Sequence, residues 1–477
     1  MSGEWTWAEV VWAASWMGAV VTAPSVLLQR AGRPTAALSW LLALFAIPAI
    51  ALFAWWLFGR VHLRRKRRLR RRAVQVTTAS LRETCEKVLG EDPAPAAVPG
   101  VLRRVSNLPR LLQDAVFPPA AGNAVTLLVD GDAVHRAWRE LVAAADDHLH
   151  LMFYIWRNDN TGRALRDALV DKARQGIEVR VLYDAIGSLR LPRDFFGPVR
   201  AAGGKVAAFL PVRLASATPT LNFRNHRKLL ISDGRRAYTG GINVGDEHLA
   251  WRDVGMVIEG PGVNQLQEVF IDDWFFATGE RLSDPKCFCG RPAVQAGAVC
   301  ETIASGPDQV FNATREMVFL AVTQCRQRLW IATPYFVPDE ALLLALRTAV
   351  YRGVDVRLQL ARLSDSPLVH RASRVFYPEL LDAGVRILEY EGMLHAKAMV
   401  LDEEDVLIGS ANLDTRSFRL NFEVSTFVTD RGVNAALAGF FEALCSQSRT
   451  VTGESWQRRG GTARLQDALA HLLSPLL

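Results

Sequence analysis

Residues 225–243 read NHRKLLISDGRRAYTGGIN, and a stretch of the same pattern returns at residues 394–412 as LHAKAMVLDEEDVLIGSAN. Each stretch holds a histidine, a lysine two places later and an aspartate five places after the lysine. The histidine and the first following glycine stand at positions 226 and 240 in one copy and at 395 and 409 in the other. Equal spacing indicates an internal repeat that carries titratable groups. The motif residues are His226, Lys228, Asp233, His395, Lys397 and Asp402.

The chemistry of one copy favours an anionic phosphoryl group. A histidine and a lysine two residues apart face the same side of a strand. The nearby cation disfavours a second positive charge on the ring, which keeps the imidazole neutral and nucleophilic. Lysine is a poor metal ligand but a good point charge for phosphate, so we predict neither a metal nor a cofactor. Asp233 ends its strand, where we expect a structural role within the catalytic motif.

Polar groups come after each copy at similar intervals, with an acid at position 253 in the first half and another at 423 in the second. A carboxylate that accepts from one ring nitrogen fixes the tautomer and leaves the other nitrogen as nucleophile or acid. Amide side chains offer donors to an oxyanion. Two histidines suit a double displacement, in which one attacks phosphorus and the other moves the proton. The supporting residues predicted here are Asn243, Asn412, Ser410, Asp253 and Glu423.

The body of the chain alternates strand and helix patterns, and each half contains one copy of the motif. This order predicts an α/β fold with two like lobes related by a pseudo-two-fold repeat, behind an N-terminal transmembrane helical hairpin. A helix is expected over 366–383. The predicted parts are lobe 1 at 119–283, a loop-like connector at 284–305, lobe 2 at 306–450 and an amphipathic tail at 451–477.

The N-terminal region predicts membrane attachment. Residues 10–28 and 36–58 carry no charge, and at about 1.5 Å per residue each can cross a hydrocarbon core of about 30 Å. The short link between them makes a hairpin, which assigns residues 1–59 to two transmembrane helices. A secretory signal peptide fits poorly, because a second apolar span comes next and the N-terminus lacks a basic residue.

A basic belt follows the hairpin. Residues 60–72 hold nine Lys or Arg and no acid, within a juxtamembrane segment and linker at 60–118. The positive-inside rule then predicts a multi-pass inner-membrane protein with its lobes on the cytoplasmic side, and the belt should attract anionic headgroups. The net charge of +7 is therefore local. The slightly acidic remainder argues against nucleic acid as a partner.

Three further features have two interpretations each. Cys287, Cys289 and Cys300 could bind a metal, but reduced cysteines are favoured because no CxxC pair is present. The neighbours His148 and His150 are expected to be a packed strand pair rather than ligands. In the tail a leucine stripe is expected to pack on the body, with contact to a bilayer as the alternative: Leu465, Leu469, Leu472 and Leu473.

The duplicated H-x-K-x4-D motif with a downstream G-G/S-x-N resembles the phospholipase D superfamily. Within it, six stretches resemble bacterial cardiolipin synthases, and the likeness covers nearly all of the chain except the connector. They are RPTAALSWLLALFAIPAIALFAWWLFG, YIWRND, VRVLYDAIGS, TPYFVP, IGSANLDTRSFRLNFE and LLSPLL.

The resemblance implies that membrane phospholipids are the partners, and that two phosphatidylglycerol molecules give cardiolipin and glycerol. It also implies that His226 attacks and His395 is the general acid and base, although the residues alone leave that order open. Asp184, Asp365 and Tyr377 are candidate contacts for glycerol hydroxyls, with ordinary structural roles as the alternative. A hydrolytic phospholipase D and a phosphatidyltransferase with another acceptor alcohol remain open, as does the oligomeric state.

Overall fold

The computed structural model describes residues 6–30, 34–56, 115–211, 222–288, 297–309 and 311–472. The basic belt, Cys85, Cys289 and Leu473 lie outside these ranges. The chain divides into two compact units: one contains residues 1–68 and 212–222, and the other contains 69–211 and 223–477.

The first unit contains three apolar helices: α1 (Trp7–Gln29), α2 (Pro34–Ala46) and α3 (Pro48–Ala54). The side chains of Thr6 and Glu9 form a capping box at the start of α1. Among the described residues only Glu9–Gln29 is long and apolar enough to cross a membrane. The prediction of one continuous helix across 36–58 is wrong, because the helix is interrupted at Ile47. The following proline has no N–H and disfavours a helical backbone in the residue before it.

The second unit is built on one mixed sheet, in which sixteen strands of the described residues take part. The first lobe supplies β1 (Ala120–Val129), α4 (Asp130–Ala143), β2 (His148–Phe153), α5 (Asn160–Arg174), β3 (Glu178–Asp184), α6 (Gly197–Ala201), β4 (Lys205–Phe209), β5 (Arg224–Asn225), β6 (Leu229–Ser232), β7 (Arg236–Gly240), β8 (Val254–Glu259) and α7 (Gly262–Thr278).

The second lobe supplies β9 (Ala298–Ser305), α8 (Ala313–Gln324), β10 (Arg328–Ala332), β11 (Phe336–Val337), α9 (Glu340–Tyr351), β12 (Asp355–Leu363), α10 (Pro367–Ser373), α11 (Tyr377–Asp382), β13 (Arg386–Met393), β14 (Ala398–Leu401), β15 (Asp405–Gly409), β16 (Leu413–Asp414), α12 (Thr415–Arg419), β17 (Asn421–Thr429), α13 (Arg431–Ser446), β18 (Ser448–Val451), α14 (Gly453–Gln457) and α15 (Gly461–Leu472).

Strand order shows the repeat directly. The first lobe runs β4-β3-β2-β6-β7-β8-β1, and the second runs β13-β12-β10-β14-β15-β17-β9 with β18 at its edge. In each lobe three parallel strands are followed by antiparallel ones. Each lobe buries its own apolar cluster, with Trp138 and Trp156 in the first and Phe336 and Phe427 in the second. The prediction of two like α/β lobes is confirmed.

The two lobes share the sheet through β9 and β1. β9 pairs antiparallel with β17, from Ser305 opposite Glu423 to Val299 opposite Thr429, and it also pairs with β1. The expectation of a loop-like connector is therefore wrong for residues 298–305. Because β9 is a central strand, the side chains on both of its faces are buried. Its sequence therefore lacks the alternation of apolar and polar residues that predicts a strand with one face in solvent.

Two other expectations need correction. The helix expected over 366–383 is divided into α10, a short 3-10 turn and α11, which has a proline in its first turn. The tail helix α15 packs on α10, but the side chains that it buries are Asp467 and Ala470. Leu465, Leu469 and Leu472 are exposed, so the prediction that they pack on the body is wrong.

Candidate active site

The first motif histidine is fixed by a backbone ladder with the second lobe. β5 runs parallel to the start of β17, with Asn225 opposite Phe422. The N–H of His226 donates to the carbonyl oxygen of Phe422 at 2.9 Å. The next residue of β17 is Glu423, so the ladder brings that carboxylate to the imidazole.

The ring of His226 meets two acceptors through one nitrogen. Nδ1 lies 3.0 Å from Oε2 of Glu423 and 3.0 Å from the carbonyl oxygen of Ser410. The Ser410 hydroxyl donates to the same carboxylate oxygen at 2.6 Å. Because a carbonyl oxygen can only accept, these partners assign the ring proton to Nδ1. Nε2 then keeps its lone pair, as a nucleophile requires.

The second motif histidine is held in the same way by the first lobe. Arg252 forms a parallel bridge with Leu394, and the N–H of His395 donates to the carbonyl oxygen of Arg252 at 2.7 Å. Nδ1 of His395 lies 2.6 Å from Oδ2 of Asp253. Each imidazole therefore pairs with the carboxylate that follows the other motif in the sequence. The spacing of these residues does not show which carboxylate pairs with which histidine.

Different residues after the two motifs give the two carboxylates different surroundings. Gly241 and Ser410 occupy the same position in their copies, directly after the first glycine. A Cβ on Gly241 would lie 2.4 Å from Oδ1 of Asp253, so the aspartate carboxylate fills the space beside this residue. In the second lobe that place holds a serine side chain, which bonds to Glu423. Asp253 instead accepts from the N–H of Val254 at 2.7 Å.

The two histidine–carboxylate pairs differ in the pKa values of their groups and therefore in protonation. Burial lowers the pKa of His226 to about 4, so its ring is neutral at physiological pH. Burial acts to raise the pKa of Glu423, but the His226 ring and the Lys228 ammonium together hold it below its ordinary value. This pair is a neutral imidazole that donates to an ionised carboxylate.

The second pair keeps an additional proton. Burial raises the pKa of Asp253 to about 7, against the lowering effect of Lys397. Burial and the nearby lysines lower the pKa of His395 far below its usual value. Below a pH of about 7 this pair therefore holds a proton that the first pair lacks.

The two motif lysines are buried beside the histidines, at 0% exposure for Lys228 and 4% for Lys397. Each ammonium donates to the backbone carbonyl oxygen of the histidine two residues earlier. Burial lowers the pKa of Lys228 well below its usual value and that of Lys397 to about 8. An anionic ligand such as a phosphodiester would offset this burial and favour the charged form of both lysines.

The motif aspartates bind backbone groups at the far ends of their strands. Asp233 accepts from the N–H groups of residues 146–148 at 2.8–3.0 Å, and Asp402 accepts from those of residues 326–328. Each lies about 20 Å along an extended chain from its histidine. Their contacts anchor the starts of β2 and β10, and the structure does not bring them to the imidazoles as catalytic partners.

Comparison with known proteins gives one consistent result. Residues 139–274 and 319–445 match a family model described as the cardiolipin synthase, PLD-like domain. The chain is 37% identical to a cardiolipin synthase of Geobacillus kaustophilus over 93% of this chain and 89% of that protein. It is 33% identical to one of Halalkalibacterium halodurans over 97% of this chain and 95% of that protein.

The chain belongs to the cardiolipin synthase family of the phospholipase D superfamily.

A solved structure supports the fold. The phosphatidylserine synthase of Haemophilus influenzae Rd KW20 superposes with a TM-score of 0.60 at 14% identity, covering 77% of this chain and 98% of that one. The second unit of this cardiolipin synthase family member therefore has a two-lobed architecture that is also known from experiment.

The predicted amide donors lie close to the motifs, but their contacts differ. The Oδ1 atom of Asn243 accepts from the N–H of Ile155 at 3.2 Å, which ties the segment after β2 to the loop after β7. The backbone N–H of Asn412 donates to Ser417 Oγ at 3.2 Å. The Oδ1 atom of Asn412 is buried without a hydrogen-bond partner among the described residues.

The three candidate hydroxyl contacts of this cardiolipin synthase family member separate into two groups. Asp184 accepts from the N–H of Asn225 at 2.7 Å and so supports the residue before the first histidine. Asp365 accepts from the Tyr335 hydroxyl at 2.6 Å. Burial lowers the pKa of Lys397, and the negative charge of Asp365 acts in the opposite direction. Tyr377 is buried in the second lobe, where its ring lies 4.7 Å from that of Trp456, so it is not part of the site.

The residues that frame the histidines were not predicted from the sequence. The ring of Tyr154 lies 4.9 Å from that of His226, and the ring of Trp251 lies 5.0 Å from that of His395. Arg227 points away from the site, donating to the carbonyl oxygen of Glu423 at 3.1 Å and to Asp273 at 2.7 Å. The sequence did contain a signal for the direction of this arginine. It stands between a motif histidine and a motif lysine, and neighbouring residues of a strand face opposite sides, so its side chain is expected to point away from theirs.

The features with two interpretations have structural explanations. His148 and His150 are buried in β2, where His150 stacks on Phe270. Cys287 and Cys300 are buried free thiols, and Cys289 lies outside the described residues. Within the described ranges no group of three or more His, Cys, Asp or Glu side chains could hold a metal ion.

The close approach at Gly241 provides a test of the second pair. Gly241→Ala places a Cβ against Asp253 and should displace the carboxylate from His395, lowering kcat by about 100-fold. The control is Gly439→Ala, because a Cβ on Gly439 meets nothing within 4 Å. Both variants are compared by thermal unfolding and by turnover of phosphatidylglycerol in detergent micelles. Equal activity of the two folded variants would contradict the assigned role of the Asp253–His395 contact.

Proposed function

We propose that this member of the cardiolipin synthase family transfers a phosphatidyl group from one phosphatidylglycerol to a second, giving cardiolipin and glycerol through a phosphohistidine. One observation carries the proposal: two buried imidazoles from two lobes are each held through Nδ1 by a carboxylate of the opposite lobe. That leaves two Nε2 atoms for chemistry at one phosphorus. Both motifs are complete, so the site is equipped for two successive displacements.

His226 is the proposed nucleophile. Its Nδ1 faces a carbonyl oxygen and an ionised carboxylate, both of which can only accept. Its tautomer is therefore fixed with a lone pair on Nε2 before any substrate binds. Glu423 also stabilises the positive charge that develops on the ring when Nε2 attacks phosphorus.

His395 is the proposed general acid and base. Its Nδ1 is paired with Asp253, whose pKa of about 7 lets the pair gain and lose a proton near neutral pH. In the first step Nε2 of His226 bonds to phosphorus, the bond from phosphorus to the glycerol oxygen breaks, and the proton of the second pair goes to that oxygen. Glycerol, which now carries this proton, leaves the site.

The second step reverses these movements with a new alcohol. The second pair takes the proton from a glycerol hydroxyl of another phosphatidylglycerol, and that oxygen attacks phosphorus. The bond from phosphorus to His226 breaks, and cardiolipin is released. One diester replaces another, so no nucleotide is required, while Lys228 and Lys397 offset the charge of the phosphoryl oxygens throughout.

Separate histidine variants test this assignment. With phosphatidylglycerol in detergent, His226→Ala should give no phosphoenzyme, while His395→Ala should be able to form a slow, long-lived one, because only the proton transfer is removed. Each should lower turnover by at least about 1000-fold. Trapping with radiolabelled substrate, followed by peptide mapping, identifies the modified histidine.

Product analysis in the same assay separates the rival functions. Cardiolipin and glycerol in equal amounts support the transferase, whereas phosphatidic acid without cardiolipin would establish a hydrolase. A label on residue 395 in the unmodified protein would reverse the two roles while leaving the double displacement intact.

The pKa directions also predict a pH profile. The ring of His226 has a pKa of about 4 and stays neutral above it, so activity should persist well below neutrality. The proton of the second pair is lost as pH rises through the Asp253 pKa of about 7, so the burst of glycerol release should slow on the alkaline side. Asp253→Asn cannot titrate there and should be slower with a flatter alkaline limb. An unchanged limb in that variant would remove Asp253 as its origin.

We further propose that the chain is a multi-pass protein of the bacterial inner membrane, with both lobes on the cytoplasmic side. The apolar helices α1 to α3 and the nine basic residues of 60–72 support this orientation. A fluorescent protein fused after residue 477 should fluoresce, and alkaline phosphatase fused after residue 32 should be active. An inactive phosphatase at that site, in a stable fusion, would show that the first helix does not cross.

A further inference from the structure

The last described helix, α15, exposes its apolar side. Leu465, Leu469 and Leu472 are 61%, 53% and 73% exposed. At 3.6 residues per turn these three side chains lie within about 60° of one another. Asp467 and Ala470, which the helix buries, lie on its other side. An amphipathic helix normally buries its leucines, so this orientation requires a cause.

The cause is a buried ionic contact. The Asp467 carboxylate is only 4% exposed and lies within ion-pair distance of Arg459 at 2.5 Å and Arg371 at 3.6 Å. Burial of an unpaired carboxylate costs several kcal/mol, so the helix is held with Asp467 towards the body. The leucines are therefore directed outward by the fold itself.

Within the two segments that pack together, the exposed charges are basic. The two packed segments, 367–376 and 461–472, contain Arg371, Arg374 and Arg464, and their only carboxylate is the buried Asp467. Arg371 contacts that carboxylate and Arg374 contacts Glu389, whereas Arg464 is exposed next to Leu465. A second copy of this chain would bring the same arginines against each other. An anionic bilayer surface matches the exposed face of α15, since its headgroups take Arg464 and its acyl region takes the leucines.

The helix that carries the stripe is linked to the active site through α10. Asp365, which bonds to Tyr335 and acts on Lys397, stands two residues before the start of α10, the helix on which α15 packs. α10 also contacts β11, which begins directly after Tyr335. Around this segment Leu363 is 60% exposed and Leu368 37% exposed.

We propose that the exposed face of α15 is a bilayer-docking surface, which inserts Leu465, Leu469 and Leu472 into an anionic phospholipid surface and holds the second lobe against the membrane from which it takes its lipids. This surface is additional to the N-terminal apolar helices. It rests on the proposed function and acts on access to bilayer-borne substrate, not on the phosphoryl transfer.

The full-length chain tests this with two forms of the same substrate. The triple variant Leu465→Gln, Leu469→Gln and Leu472→Gln keeps all catalytic residues and the N-terminal helices. Reconstituted in vesicles of long-chain phosphatidylglycerol, it should lose about tenfold in turnover. With monomeric dihexanoyl phosphatidylglycerol in dilute non-ionic detergent, its activity should match that of the unmodified chain.

The matched control removes exposed apolar side chains elsewhere. Leu344→Gln with Tyr351→Gln changes two α9 residues that are 51% and 70% exposed, and it should leave both assays unchanged. An equal loss on both substrates by the triple variant would assign the leucines to the fold. No loss in vesicles, or an equal loss in the α9 control, would also overturn the proposal. Absence of cardiolipin from the unmodified chain would instead count against the proposed reaction.

A fluorescent probe gives an independent reading. An environment-sensitive fluorophore attached at Leu469→Cys, in a background without reactive native cysteines, should shift to the blue in phosphatidylglycerol vesicles. The same fluorophore at Leu344→Cys should keep its emission in water. Identical spectra at the two positions would show that the α15 face does not enter the bilayer.

Discussion

Two hydrogen bonds between imidazole and carboxylate cross the boundary between the lobes, and the whole arrangement of the site depends on them. His226 is held by Glu423 and His395 by Asp253. Neither lobe contains a complete histidine–carboxylate pair, because each supplies a histidine to one pair and a carboxylate to the other. The backbone ladder between β5 and β17 and the bridge from Arg252 to Leu394 set these contacts within a fraction of an ångström.

The repeat is symmetric in topology but not in chemistry. Burial raises the pKa of Asp253, whereas the His226 ring, the Lys228 ammonium and the Ser410 hydroxyl together hold the pKa of Glu423 below its ordinary value against burial. In one pair, Nδ1 of His226 faces acceptors only, which fixes the tautomer of the ring. The other pair keeps a proton that can leave. Such a division of roles between two similar groups by their surroundings is a general route to acid and base chemistry within one site.

Elements that obey a local rule were predictable from the sequence. β8 lies at the expected residues 254–259, because its apolar run is bounded by a turn on each side. The repeat and its titratable groups were apparent from spacing. The predictions that failed depended on partners distant in the chain: β9 becomes a strand only between β17 and β1. The exchange of carboxylates depends likewise on the pairing of residues 225 and 422.

Two other differences show where pattern and packing conflict. A leucine stripe predicts a buried face, but in α15 the buried ion contact of Asp467 decides which side faces the body. The 36–58 stretch is apolar throughout, yet the backbone preference before Pro48 divides it. The sequence pattern alone does not show whether one charged contact, or one missing backbone N–H, will override many apolar side chains. That depends on the local geometry of the fold.

The sheet that passes through β9 and β1 limits how the protein can move. A clamshell motion of one lobe against the other would break the pairing of β9 with β1 and separate both histidines from their carboxylates at once. The frame is therefore rigid across its centre, unlike enzymes that close two domains around a ligand. We therefore expect glycerol to leave and the second lipid to arrive without separation of the two lobes.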